Sequence, residues 1–144
     1  MIGRLARGAV GGALATAAMS VVMLASRRLG LVGKLAPEHV TEAALDAAGV
    51  ERDEGEEDVA TSLAHFAYGT ASGAVFGLVG PHLPGPRAVR GLLFAGGLLL
   101  VSYEGWVPAA RILPPLRVQT PAGASTLVTS HLVYGVVLSL TTLG

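Results

Sequence analysis

At 144 residues, 14% charged and 51% hydrophobic, the chain carries far fewer charges than the quarter or so usual in soluble domains. The absence of cysteine excludes disulfides, thiolate metal sites and iron–sulfur clusters, so any metal would need His or carboxylate. Ten basic and ten acidic residues cancel, so no uniform field advertises a nucleic-acid partner, and a mean hydropathy of +0.59 points to lipid as the surrounding medium.

A membrane span needs about 20 mostly apolar residues, and four segments qualify. The first, 8–26, follows Arg4 and Arg7 and ends at Arg27-Arg28. It has the form of a secretory signal, with Ala13 and Ala15 as small cleavage-site residues, but three further spans argue for an anchored helix. Gly8, Gly12, Thr16 and Ser20 recur along it at four-residue spacing.

Residues 37–48 read as a short helix: Pro37 suits a first helical position, Glu38 and Glu42 favour the N-terminal half, and Gly49 can close it. Val40, Ala44, Leu45 and Ala48 fall on one side, which predicts a helix lying along the membrane surface. The acidic run 51–58 follows, and repulsion between its like charges predicts a solvated, mobile link. It lacks the Asp-x-Asp-x-Asn-Gly spacing by which a calcium loop wraps its ion.

The second span, 60–79, carries His65 and Tyr68 and then Gly69, Gly73 and Gly77 on one stripe. Helices in lipid associate through close backbone approach and hydrogen bonds, so such a stripe predicts helix packing rather than a cofactor. The third span, 91–107, opens on Gly91 and Ala95 and places Glu104 near its end. Tyr103 and Trp106 suit the headgroup zone, and Pro108, Pro114, Pro115 and Pro121 predict a stiff surface loop. At that level an ion pair with Arg111 or Arg117 is the simplest role for Glu104. The fourth span, 125–143, has no charge and carries His131, Tyr134, Gly135 and Ser139.

Ala64-His65-Phe66-Ala67-Tyr68-Gly69 returns as Ser130-His131-Leu132-Val133-Tyr134-Gly135. Arg7-Gly8 matches Arg90-Gly91, and Lys34-Leu35-Ala36-Pro37 parallels Arg111-Ile112-Leu113-Pro114. The expectation is one all-α membrane domain over 1–144: a four-helix bundle of two parallel two-helix repeats, 4–80 and 88–144, with 51–58 inserted in the first. His65 and His131 then lie at matching depth. Arg4, Arg7, Arg87 and Arg90 flank one side, without acids; the other basic residues lie on the second side with all ten acids. Counting Lys and Arg alone favours the second side as cytoplasmic, whereas net charge favours the first. Because acid-rich segments cross more readily and Arg52 sits inside the acidic run, both termini are expected to be cytoplasmic.

A histidine inside a span marks a candidate site, here His65 and His131 with Tyr68, Tyr134 and Glu104. The favoured reading is structural, each imidazole hydrogen-bonding a Tyr hydroxyl, a carbonyl or water. Three sharper readings stand beside it. Paired histidines can ligate one haem iron, or face a quinone, between the second and fourth helices. His65, His131 and Glu104 can carry protons or a cation, because imidazole titrates near neutrality. Least favoured is a metal held by two His and one carboxylate, since no His-x-x-x-His or Glu-x-x-His pair occurs. Nothing arranges a nucleophile beside a base or a phosphate-cradling loop, so a non-enzymatic accessory or transport-associated role is expected. No resident cofactor is expected beyond that haem possibility. The expected partners are the bilayer and a second copy or a larger membrane complex.

Gly91-Leu92-Leu93, Gly105-Trp106-Val107-Pro108, Leu113-Pro114-Pro115 and Ser130-His131-Leu132-Val133-Tyr134-Gly135 together resemble the YagU-like group of small bacterial inner-membrane proteins. The likeness covers mainly residues 90–140. Ser130 stands where that group tends to have Gly, and the acidic insertion is outside its pattern. The resemblance implies a multi-pass inner-membrane protein, linked to acid tolerance, and brings no catalytic residues.

Overall fold

The structure, a computed structural model, describes residues 1–51 and 53–142. Arg52, which entered the orientation argument, and residue 143, the expected end of the fourth span, lie outside the described residues. Among those described there is no strand. The elements are α1 (Ile2–Arg28), α2 (Ala36–Ala47), α3 (Glu54–Val79), α4 (Arg87–Leu100) and α5 (Pro121–Thr142). A 3-10 turn, Gly80–His82, follows α3, and another, Leu116–Val118, precedes α5.

Among the described residues three helices are long and apolar enough to cross a membrane: α1, the continuous stretch Arg87–Ala109 that begins with α4, and α5. Three of the four expected spans therefore meet that measure, and the remaining one, 60–79, falls on α3. α3 is long enough, 26 residues or about 39 Å at 1.5 Å per residue. His65, Tyr68, Thr70 and Ser72 dilute the hydropathy of its apolar part. Its path is nonetheless set by topology. Gly11 of α1 lies against Thr142 of α5, and Gly91 of α4 against Gly135 and Ser139, so α1 and α4 begin at the same end as the close of α5. α1 finishes at the opposite end, and α3 carries the chain back along it.

Small residues make that return possible. A Cβ added at Gly8 would meet the Gly73 carbonyl, one at Gly12 the Gly69 carbonyl, and one at Gly77 the Arg4 carbonyl. The stripes therefore face one another within the chain, backbone against backbone. α4 and α5 meet in the same manner, Gly91 against the Gly135 carbonyl and Gly135 against Ala95. α1 also packs on α5, while α3 and α4 touch through longer side chains: Phe76 and Phe94 have ring centroids 5.1 Å apart.

Burial is inverted relative to a soluble bundle. Thr16, Ser72, Ser102, Ser130, His131 and Ser139 are buried, whereas Val10, Leu14, Val21, Leu93, Leu100 and Leu140 point outward. Intrahelical bonds satisfy the hydroxyls of Thr16, to the Gly12 carbonyl (2.7 Å), of Ser130, to the Leu127 carbonyl (3.0 Å), and of Ser139, to the Val136 carbonyl (2.8 Å). A belt of outward aliphatic side chains this extensive suits lipid contact.

Two local expectations change. The acidic run is largely the first turn of α3 rather than a free link. Asp53 accepts from the Glu56 amide (2.8 Å), Glu56 accepts from the Asp53 amide (3.2 Å), and Glu54, Glu56 and Glu57 sit at the end where the helix dipole favours anions. α2 forms close to the expected residues, with the Leu35 amide donating to Glu38 (2.5 Å), but only part of it is free to face outward. Its Thr41 is buried, and Ala36 and Val40 pack on Leu99, Tyr103, Val107 and Leu127, so it folds across the bundle end. Arg27–Glu38 (2.5 Å), Lys34–Glu42 (2.6 Å) and Lys34–Glu57 (3.2 Å) tether it. At Lys34, the only lysine, the hydrogen bond it donates to Glu42 raises the pKa above the ordinary lysine value.

Pro108 does not end the third apolar helix as expected. Beyond α4 the chain continues as a π-helical stretch, Val101–Trp106, and a last turn, Val107–Ala109. Gly105, at φ −109° and ψ −108°, leaves helical geometry. A proline presses on the carbonyl four residues before it, and the wider π register relieves that pressure.

Candidate functional site

At the end of the bundle covered by α2 lies a cavity of about 250 Å³. His65 and Tyr68 reach it from α3, His131 from α5, and Ser102, Tyr103 and Trp106 from the π-helical stretch. Pro37, Val40 and Thr41 of α2 close it. The two histidines of the recurring tract thus line one space.

Their surroundings differ. His131 is 7% exposed; its Nδ1 lies 2.8 Å from the Leu127 carbonyl, and its ring stands edge-on to Tyr103 with centroids 5.8 Å apart. A carbonyl accepts, so Nδ1 carries the proton and Nε2 is left as acceptor while the ring is neutral. His65 is less enclosed, yet its Nε2 is buried and has no hydrogen-bond partner. His65 also lines a neighbouring cavity of about 380 Å³ with Arg27, Glu38, Asp58 and Thr61, and the Thr61 hydroxyl is likewise buried without a partner. It therefore forms part of the wall between an ionic pocket and an aromatic one.

The tyrosines also diverge. Tyr68 is 44% exposed and pairs with Ser102 (OH to Oγ, 3.2 Å). Tyr134, 1% exposed, donates to the Gly69 carbonyl (2.7 Å) and does not line the cavity. Glu104 turns away: its carboxylate pairs with the Arg117 guanidinium and accepts from the Arg117 amide (3.0 Å). Glu104 therefore stands in the ion pair with Arg117, the simplest role the sequence offered it, and does not line the cavity of the two histidines. Among the described residues no three of His, Asp and Glu gather for a metal.

Ser102, Trp106 and the α2 residues were not singled out from the sequence as site residues, and Tyr103 was read only as a headgroup marker. The readable signal was Gly105 followed by Pro108 inside an apolar helix, since such a pair marks a helix defect, and π-bulges are frequent at functional sites.

No curated protein and no solved structure matches the chain significantly. A family model matches residues 2–143, which is nearly the whole chain rather than the 90–140 stretch that resembles the YagU-like group, and nothing in the match points to that group. An all-helical chain with three span-length apolar helices, matched over this extent, belongs to the family of unknown function DUF6789.

Proposed function

We propose that the chain is a multi-pass inner-membrane protein, α3 being its fourth crossing, built from two parallel two-helix repeats with both termini cytoplasmic. Its role is non-enzymatic, accessory to or part of transport, and centres on a polar site between α3 and α5. The observation that carries the site is the buried, partnerless Nε2 of His65 on a cavity shared with His131. Leaving a buried polar atom unpaired costs about 1–3 kcal/mol, a cost that a water or ligand in that cavity offsets. The repeat is supported by equivalent contacts: Gly8 on Gly73 corresponds to Gly91 on Ser139, and Gly12 on Gly69 to Ala95 on Gly135.

Proton or cation movement is the activity this site supports best, with His65 passing charge between the ionic pocket and the inner cavity. In proteoliposomes carrying a pH-sensitive dye, wild type should dissipate an imposed proton or cation gradient faster than the His65→Ala/His131→Ala variant. Equal rates in the two remove this reading. A second reading, a quinone head group, is favoured by the cavity's aromatic walls and hydroxyls. Its roughly 250 Å³ lies just below the ~300–1,000 Å³ of typical ligand pockets, which suits one ring better than a haem. Solvent extraction of the purified protein followed by an ultraviolet spectrum tests it, and an extract without quinone absorption excludes it.

A further inference from the structure

The opposite end of the bundle carries a second concave feature, unrelated to the histidines. Arg4 and Arg7 from the start of α1, Arg87 and Arg90 from the start of α4, and Thr142 from the end of α5 line a basin of about 310 Å³. Two of the guanidinium groups are positioned by backbone carbonyls: Arg7 Nε donates to Gly3 (3.4 Å) and Arg90 Nε to Gly85 (2.8 Å), leaving their terminal nitrogens for another acceptor. Among the described residues no carboxylate pairs with any of the four, and neither α1 nor α4 has an acid in its first turn. Thr142, 8% exposed, has a hydroxyl without a hydrogen-bond partner.

Four like charges converging on one concavity repel unless an anion lies between them, and planar guanidinium forks match phosphate oxygens. Of the five other basic residues described, three, Arg27, Lys34 and Arg117, are each paired with a carboxylate, while Arg28 and Arg111 stand apart from one another rather than converging on one concavity. At the end of span-length helices the anion available at that depth is a lipid phosphate, and basic pockets between membrane helices bind such head groups. We propose that this basin binds the phosphate of an acidic phospholipid, held by Arg4, Arg7, Arg87 and Arg90. The assignment rests on the bilayer reading of the helices, and not on the histidine site.

The test is native mass spectrometry of the protein released from nanodiscs of mixed phosphatidylcholine and phosphatidylglycerol. Wild type should retain phosphatidylglycerol in preference. The ratio of retained acidic to neutral lipid should fall roughly tenfold or more in Arg4→Gln/Arg87→Gln, on the scale of the attraction each arginine exerts on an acidic leaflet. Arg28→Gln/Arg111→Gln, which removes the same charge from the other end, should keep the wild-type ratio. Equal loss in both double variants, or no preference in wild type, overturns the proposal. So does displacement of the lipid by millimolar inorganic phosphate, which assigns the basin to a free anion. Failure to enter nanodiscs at all would instead count against the bilayer reading.

Discussion

The Tyr134 hydroxyl donates to the carbonyl of Gly69 at 2.7 Å, so a side chain of one histidine-bearing helix holds the backbone of the other one turn beyond His65. Tyr68, its counterpart in the first tract, makes no such bond and turns to Ser102. Tyr134→Phe should therefore lower stability by about 1 kcal/mol, the usual net worth of a hydrogen bond. Tyr68→Phe, at a half-exposed position, should cost less. Thermal unfolding of both variants in the same detergent checks the order, and a larger loss for Tyr68→Phe contradicts it.

Glycines along the helices divide into those in contact and those free. A Cβ at Gly73 would meet the Gly8 carbonyl and the Gly12 Cα, whereas one at Gly96 or Gly97 meets nothing within 4 Å. Gly73→Leu should destabilise by at least the ~1–3 kcal/mol typical of overpacking. Gly96→Ala should be neutral or stabilising, since removing a helical glycine is worth roughly 0.5–1 kcal/mol. Unfolding midpoints measured side by side decide this, and a Gly96→Ala loss matching that of Gly73→Leu would contradict the packing.

The Glu104–Arg117 pair sits on the surface, with Arg117 70% exposed at its side chain. Exposed pairs are worth about 0–1 kcal/mol. Arg117→Gln should leave the unfolding midpoint nearly unchanged and should not alter any flux that depends on His65 and His131. A loss of flux in this variant would return Glu104 to the histidine site.

Lys34 clamps α2 to α3 through Glu42 and Glu57, and its pKa is raised by the Glu42 hydrogen bond. A group whose folded pKa is raised contributes fully below its unfolded value, ~10.4 for lysine, and loses that contribution as pH climbs through the folded value. The clamp should thus hold across neutral and mildly alkaline pH and loosen above it. Hydrogen exchange or limited proteolysis of residues 36–47 should report α2 opening earlier in Lys34→Met than in wild type at neutral pH. The difference should vanish at strongly alkaline pH; one that persists there rules the clamp out.

Composition and spacing were enough to read an all-helical chain with helices long and apolar enough to cross a membrane, because hydropathy and four-residue periodicity are properties of each helix alone. The matched tracts around His65 and His131 were legible for the same reason, and they do line one cavity. Asp53 and Glu56 stand at capping-box spacing in the sequence, and in the fold that helix-start chemistry prevails over the like-charge repulsion that predicts a free link. Partner choice was not legible. That Gly8 meets Gly73, that Glu104 leaves the histidines for Arg117, that α2 closes the cavity and that Ser102 turns into it all depend on how helices are rotated and offset against one another. A single helix carries no record of its neighbour's rotation. Those relations emerge only when close backbone approach along the small-residue stripes and the π register around Gly105 fix the helices together.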